Sequence, residues 1–303
     1  MATSVRCERT NTIKVVELKK FYLCKLCLIV FGALLAVQNV IAANFNKTNS
    51  KTDLTFTQAQ SLSFGSSLNN ELYFPAGGSN KIPSVILLHS CAGINPKSKN
   101  DLIRWGRLLV DNGFAVLTMD HLTSRGVKKN CGRGRPVGRD RLAKDVYSAA
   151  KFLGSIPAID QTRIFALGFS LGAMTTGTVA SARYYKRFGA DAPKLRAVAG
   201  LYGGCYGSDR WLESDAEIPV LWLVGAQDTE SPPDSCSGSV STLESKGLIT
   251  FHKYPNATHC WDCRTLNGYK KIAGNGNSVT YVYNAKVTKD SEQKVLNFLK
   301  SFD

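Results

Sequence analysis

Residues 164–172 read Ile-Phe-Ala-Leu-Gly-Phe-Ser-Leu-Gly, and this stretch decides the fold. Its first four residues predict a short buried strand, and the small residues that follow Gly172 predict a helix. Between them lies the G-x-S-x-G pattern of a nucleophile elbow, a sharp strand-to-helix turn that exposes a serine. Glycine is needed at 168 and 172 because strand and helix cross closely there. Ser170 is therefore predicted as a nucleophile rather than an incidental serine in a glycine-rich turn.

Apolar runs and helical patterns alternate on both sides of this turn. Strands are predicted at 72–74, 85–88, 114–119, 197–202, 219–224 and 249–251, and helices at 102–109, 142–153 and 295–299. Continuous apolar strands alternating with amphipathic helices are typical of an α/β fold, a mostly parallel sheet with helices on both faces. Ligands of such sheets bind outside the carboxyl ends of the strands. The 260–280 loop is expected to border that site.

A serine becomes a good nucleophile only when a positioned base takes its proton. The chain has four histidines. His252 lies inside the last predicted strand, and His89 and His121 end strands that precede the elbow. His259 follows the last strand, which gives the order nucleophile, acid, histidine that is typical of enzymes built on this turn. His259 is the predicted base, and His89 is interpreted as a scaffold residue rather than a second catalytic histidine.

The base needs an acid that fixes its tautomer and stabilises its protonated form. Asp228 follows the strand 219–224 and stands between Ser170 and His259 in sequence, so we predict it as this acid. Glu230 and Asp234 follow in the same loop and are alternatives.

The tetrahedral intermediate that follows attack by the serine also needs two backbone N–H groups that bind its oxyanion. The N–H of Leu171, directly after the nucleophile, is one predicted donor. The second is expected from the loop after the strand 85–88, where Cys91 is favoured, with Ser90 and Ala92 as alternatives.

The N-terminus predicts an export signal. Basic residues precede an uncharged run of 12 residues (26–37), and alanines follow at 42 and 43. A membrane span needs about 20 apolar residues, so we expect a cleaved signal peptide at residues 1–43, with an uncleaved anchor as the alternative. Residues 44–303 are then expected to form a single periplasmic or secreted domain with no membrane span.

Nine cysteines fall into two groups, and Cys7, Cys24 and Cys27 belong to the predicted leader. The six after it are Cys91, Cys131, Cys205, Cys236, Cys260 and Cys263. An even count in an exported chain predicts disulfides, although six cysteines allow 15 pairings. For Cys260 and Cys263 we expect a disulfide that stiffens the loop of His259. A redox thiol and a zinc site shared with His252 are the alternatives.

The chain is basic, with a net charge of +15, and its densest basic cluster lies between Arg125 and Arg141. No aromatic series is interleaved there, which argues against nucleic-acid binding and favours a solvated loop. Gly132-Arg133-Gly134 lacks the Lys-Ser/Thr ending of a phosphate-binding loop, so no cofactor is predicted. A glycosylation sequon at Asn256 would place a glycan beside His259, which favours a bacterial protein.

These motifs resemble those of the dienelactone hydrolase family of α/β-hydrolases. The resemblance covers roughly residues 60–303 and is carried by the segments 88–93, 168–172 and 225–228 and by His259. Residues 119–126 are similar to an aspartate-containing segment of the family's exported branch. The resemblance implies a nucleophile with His and Asp, no metal, and hydrolysis of esters or lactones. The namesake enzymes have cysteine at the elbow, so Ser170 makes this chain more similar to the family's serine esterases.

The resemblance implies that four of the cysteines lie in loops at one rim of the sheet: Cys91, Cys131, Cys205 and Cys236. The pairs Cys91–Cys131, Cys205–Cys236 and Cys260–Cys263 are the resulting hypothesis.

The sequence thus predicts a serine hydrolase that cleaves a small-molecule carboxylic ester or lactone through an acyl-enzyme. An acyltransferase or peptidase with the same triad is one alternative. A non-catalytic protein that binds anionic envelope polymers is the other. Oligomeric state and substrate identity do not follow from the residues.

Overall fold

The computed structural model describes residues 70–76, 81–132, 134–205 and 211–302. The predicted leader at residues 1–43 and the polar segment that follows it lie outside the described residues. Within the described ranges, no helix is both long enough and apolar enough to cross a membrane.

A seven-stranded sheet forms the centre of the fold, in the order β1-β3-β2-β4-β5-β6-β7. Its strands are β1 (Glu71–Tyr73), β2 (Ile82–Leu88), β3 (Ala115–Met119), β4 (Ile159–Phe169), β5 (Ala197–Leu201), β6 (Val220–Gly225) and β7 (Ile249–Tyr254). Only the edge strand β1 runs antiparallel to its neighbour. β3, β5 and β6 are buried along their whole length, which explains their continuous apolar sequences.

Helices cover both faces of this sheet, which confirms the predicted fold class. They are α1 (Pro96–Asp111), α2 (Arg139–Gly154), α3 (Leu171–Val179), a single turn α4 (Ala182–Tyr184), α5 (Ser237–Ser245) and α6 (Ala285–Lys300). On one face, Leu167 and Leu223 share a core cluster with Trp105 of α1 and Leu299 of α6. α3, which packs against β4 and β5 on the other face, is buried on all sides.

Local signals explain where the helices begin. The side chain of Asn95 accepts hydrogen bonds from the backbone N–H groups of Lys97 and Ser98, and Pro96 opens α1, where its missing N–H costs nothing. α3 lacks an amphipathic pattern because all of its nine residues are buried.

Two features lie in the region predicted as a loop at 260–280. A short antiparallel hairpin forms from β8 (Lys270–Ile272) and β9 (Ser278–Thr280). It borders the pocket described below, whereas Trp261 in the same region is fully buried in the core.

The six cysteines of the described chain form three disulfides, Cys91–Cys131, Cys205–Cys236 and Cys260–Cys263. They are the pairs of the hypothesis above. All three lie at the end of the sheet where the strand carboxyl termini lie. The first two join separate loops, and Cys260–Cys263 closes a turn within one loop.

Candidate active site

Ser170 occupies a sharp turn between β4 and α3. Its backbone angles, φ 53° and ψ −110°, are strained for a residue with a side chain. A Cβ at Gly168 would lie 2.2 Å from the backbone of Gly172, and one at Gly172 would lie 2.3 Å from the carbonyl oxygen of Leu88. Both glycines are therefore required, and the Ser170 N–H is held by the carbonyl of Leu201 at 3.0 Å.

The structure brings together the three residues predicted as nucleophile, base and acid. His259 Nε2 lies 3.0 Å from Ser170 Oγ, and His259 Nδ1 lies 2.7 Å from Asp228 Oδ2. The other carboxylate oxygen, Oδ1, accepts the backbone N–H groups of Glu230 at 2.9 Å and Ser231 at 2.7 Å. Asp228 and His259 are both buried. This arrangement fixes the imidazole so that Nε2 can accept a proton from the serine.

The two alternative acids differ in position. Asp234 is exposed and pairs with Lys253 at 2.7 Å. It is not among the hydrogen-bond or ion-pair partners of His259 in the described residues. Glu230 lies inside the site on the opposite edge of the imidazole, with Oε2 3.7 Å from His259 Nε2. Its carboxylate accepts hydrogen bonds from Lys271 Nζ and Tyr281 Oη, both at 2.7 Å.

His259 is surrounded by carboxylates and aromatic rings. Burial lowers the pKa of His259, but the charges of Asp228 and Glu230 outweigh burial and leave this pKa above its ordinary value of 6.5. The rings of Tyr202 and Tyr281 pack against the imidazole, with centroid distances of 4.9 and 5.5 Å. The ring is therefore fixed in place and prepared to carry a positive charge.

The loop after β2 lies on the other side of Ser170. Leu171 and Cys91 both line the pocket beside the serine. Leu171 is the first residue of α3, so its N–H has no intrahelical partner. The carbonyl of Cys91 accepts the N–H of Asn130 at 2.7 Å, and the Cys91–Cys131 disulfide ties the same two segments together. The N–H of Ala92 faces Ser90 Oγ at 3.4 Å, which leaves the N–H of Cys91 the better candidate for an oxyanion donor.

His89 links this loop to the loop after β3. Its Nδ1 lies 2.6 Å from the carbonyl of Ser90, and its Nε2 accepts the N–H of His121 at 3.2 Å. Burial, together with the neighbouring His121, lowers the pKa of His89 to about 4, so the ring is neutral at physiological pH. These contacts suit a scaffold role, since His89 makes none with Ser170 among the described hydrogen bonds.

A buried aspartate that sequence reasoning missed holds the segment after His259. Asp262 accepts hydrogen bonds from Trp105 Nε1 at 2.7 Å, Arg104 Nη2 at 2.8 Å and Tyr202 Oη at 2.9 Å. Because Tyr202 also packs on His259, this carboxylate helps to hold Tyr202 against the imidazole. The available signal was topological: Tyr202 directly follows β5, next to the elbow strand.

Cys260, Asp262 and Cys263 have their ligand atoms within 4.8 Å of one another. The two sulfur atoms form a disulfide, which leaves no thiolate for a metal, and three donors already occupy Asp262. His252 lies in β7 and is not part of this group. These residues therefore do not fit the zinc site considered from the sequence.

The candidate site opens into a pocket of about 1250 Å³. Lys97, Lys128 and Lys129 are exposed at its border. The basic cluster between Arg125 and Arg141 was predicted to be solvated, but two of its members form ion pairs within the fold. Arg125 pairs with the buried Asp145, and Arg139 pairs with Glu213. Their side chains are largely buried because each stacks or bonds within the fold.

The strained elbow at the end of a parallel strand, facing a histidine from the loop after β7, defines an α/β-hydrolase. The family model of the dienelactone hydrolase family matches residues 70–303, and the chain belongs to this family. Membership supports a hydrolase of the esterase type.

Solved structures share this fold. A proposed dienelactone hydrolase from Klebsiella pneumoniae subsp. pneumoniae superposes with a TM-score of 0.62 at 18% identity, covering 83% of this chain and 97% of that one. A dienelactone hydrolase-like promiscuous phosphotriesterase, P91, from metagenomic libraries gives 0.59 at 19%, covering 84% and 98%. Esterase 2 of Thermogutta terrifontis, phosphonylated by cyclosarin, gives 0.56 at 12%, covering 84% and 92%. No curated protein matches the sequence.

Proposed function

We propose that this protein is a serine hydrolase that cleaves a small-molecule carboxylic ester or lactone. The observation that carries the proposal is the continuous chain from Ser170 Oγ to His259 at 3.0 Å and from His259 to Asp228 at 2.7 Å. A serine on an elbow, a neutral imidazole acceptor and an orienting carboxylate are the parts that acyl-enzyme chemistry needs.

In the proposed reaction, Ser170 Oγ attacks the carbonyl carbon while His259 Nε2 takes its proton. The N–H groups of Leu171 and Cys91 stabilise the oxyanion. His259 then gives the proton to the leaving alkoxide, which leaves an ester on Ser170. Water attacks this acyl-enzyme, with His259 again as base, and releases the acid.

The test is labelling by a fluorophosphonate probe together with turnover of p-nitrophenyl acetate and butyrate. Ser170→Ala is expected to abolish labelling and to lower kcat by about 10⁴-fold or more. Ser245→Ala, an exposed serine of α5, is the matched control and should retain both. Full turnover in Ser170→Ala would refute the mechanism.

Product analysis separates the related activities. Added alcohols reveal acyl transfer, and peptide substrates reveal a peptidase. Salt-sensitive binding of an anionic polymer that persists in Ser170→Ala, with no turnover in the wild type, would instead favour a binding protein.

We also propose that the protein is exported and that residues 1–43 are its signal peptide. Three disulfides in the described chain support an oxidising compartment. N-terminal sequencing of the protein from a periplasmic or culture fraction should begin near residue 44. An intact N-terminus in the membrane fraction would contradict cleavage.

A further inference from the structure

Glu230 is a mostly buried carboxylate that the triad does not use. Its Oε1 accepts a hydrogen bond from Lys271 Nζ, and its Oε2 accepts one from Tyr281 Oη. Burial raises the pKa of Glu230, but His259 and Lys271 outweigh burial and leave it below the ordinary value. Glu230 therefore carries a negative charge at neutral pH, inside the pocket.

The charge of Glu230 lies close to Nε2 of His259, the proposed proton acceptor. Oε2 lies 3.7 Å from His259 Nε2, too far for a direct hydrogen bond. Nε2 is the atom that must take the proton of the incoming water during deacylation. One water molecule at hydrogen-bond distance from Nε2 can also reach Oε2, because two acceptors 3.7 Å apart are easily bridged by a single water.

Water and alcohols differ in what they can offer such a pair of acceptors. Water has two protons, one for Nε2 and one for the carboxylate, whereas an alcohol has only one. A carboxylate at this position therefore stabilises attack by water and gives an attacking alcohol no equivalent contact.

We propose that Glu230 binds the hydrolytic water during deacylation and so directs the acyl-enzyme to hydrolysis rather than to transfer to alcohols. This inference rests on the proposed acyl-enzyme mechanism. The water oxygen bonds to the acyl carbon while one proton moves to His259 Nε2 and the other hydrogen-bonds to Glu230. The tetrahedral intermediate then breaks its bond to Ser170 Oγ, His259 returns the proton to Oγ, and the carboxylic acid leaves.

A purely structural role is the competing explanation. Lys271 lies in β8 and Tyr281 directly follows β9. Glu230 therefore also joins the hairpin β8–β9 to the loop of Asp228. Loss of that contact would slow attack by water and by alcohol equally. The ratio of the two products therefore separates the two roles.

The experiment measures burst kinetics with p-nitrophenyl acetate and the ratio of methyl acetate to acetate in added methanol. In Glu230→Gln, deacylation should fall about tenfold, the effect of one hydrogen bond to a charged group, while the burst rate changes little. The methanolysis-to-hydrolysis ratio should rise by a similar factor. Glu230→Asp, which withdraws the carboxylate from Nε2 but keeps its charge, should shift the ratio in the same direction.

Two controls complete the experiment. Asp234→Asn removes the exposed carboxylate of the same loop and should behave as wild type. Lys271→Met weakens the hairpin contact but keeps the carboxylate, so its product ratio should stay close to that of wild type.

An unchanged product ratio in Glu230→Gln, or an equal fall in acylation and deacylation, would overturn the proposal. If Ser170→Ala kept its burst, the proposed acyl-enzyme mechanism itself would fail, which is a different result.

Discussion

The two sides of the pocket are stabilised by different kinds of interaction. One side holds His259, the proposed base, and is called the base side; it is formed by the loops after β6 and β7 and the hairpin β8–β9. Three buried or mostly buried carboxylates organise it: Asp228, Glu230 and Asp262.

The other side, called the oxyanion side after its proposed role, is formed by the loops after β2 and β3. His89, a backbone hydrogen bond and the Cys91–Cys131 disulfide hold it beside Ser170. Its buried carboxylates, Asp120 and Asp145, bond to the loop after β3 rather than to the imidazole of His259.

The chemistry of each side explains this difference. A base must become positive during the reaction, and nearby carboxylates lower the free energy of that state. A donor of hydrogen bonds to an oxyanion must be fixed in place before the reaction, because it stabilises negative charge only where that charge develops. The base side should therefore respond to charge removal, and the oxyanion side to loss of its covalent restraint.

Asp228→Asn should give the largest effect. The amide can hydrogen-bond Nδ1 but favours the wrong tautomer, and it no longer stabilises the protonated imidazole. We expect kcat to fall about 10⁴-fold with the fold intact. Steady-state kinetics and circular dichroism check this result, with Asp234→Asn as the control. A fall of less than tenfold would show that the base side does not depend on this carboxylate.

Removal of the Cys91–Cys131 disulfide should mainly reduce stability. The bridge spans a sequence separation of 40 residues, and the entropy of such a loop corresponds to about 3–4 kcal/mol of unfolding free energy. Denaturant unfolding of Cys91→Ser/Cys131→Ser measures it. The N–H of residue 91 is retained, so a loss in kcat would report loosening of the oxyanion side. Cys205→Ser/Cys236→Ser, with a separation of 31, is the matched comparison.

Asp262→Asn should destabilise the base side by about 2–3 kcal/mol, because a buried carboxylate that accepts three hydrogen bonds is replaced by an amide that cannot accept them all. Thermal unfolding checks the stability. Asp191→Asn, which breaks an exposed pair with Lys151, should change it by less than about 0.5 kcal/mol. Equal effects of the two substitutions would contradict the role given to Asp262.

The fold was predictable because each central strand is buried on both faces and so appears as a continuous apolar run. The chain order of Ser170, Asp228 and His259 then followed from the elbow alone, since topology places strand ends at one edge. The site roles of these residues stay predictions until the variants are measured.

Other parts depend on three-dimensional contacts that no local pattern encodes. Glu230 was considered only as a substitute for Asp228, although its carboxylate lies on the opposite edge of the imidazole. Arg125 and Arg139 read as solvated charges, but their carboxylate partners are 20 and 74 positions away. Short hairpins such as β8–β9 lack a periodic signal because three residues are too few to show one.

The smallest expected effect on activity is a shift in the pH dependence of kcat/KM. His259 must be neutral to act as a base, and its pKa is raised, so kcat/KM should fall as pH decreases through a value above 6.5. Glu230→Gln should move this limb to lower pH, because one of the raising charges is lost. If the acid limb of the pH profile does not shift, the charge of Glu230 does not influence the pKa of His259.

The unfolding free energy should depend on pH in opposite directions through His89, on the oxyanion side, and His259, on the base side. The folded pKa of His89 is lowered to about 4, so the unfolded chain binds a proton first, and the unfolding free energy should decrease as pH falls from 6.5 toward 4. The raised pKa of His259 acts in the other direction, since its contribution is present below 6.5 and is lost as pH rises through the folded pKa. Chemical unfolding across pH 4–8 in wild type and His89→Gln measures this, and a flatter slope below pH 6.5 in the variant is the expected result. An unchanged slope would mean that carboxylates alone set the acid response, and that the neutral histidine of the oxyanion side is not what limits stability there.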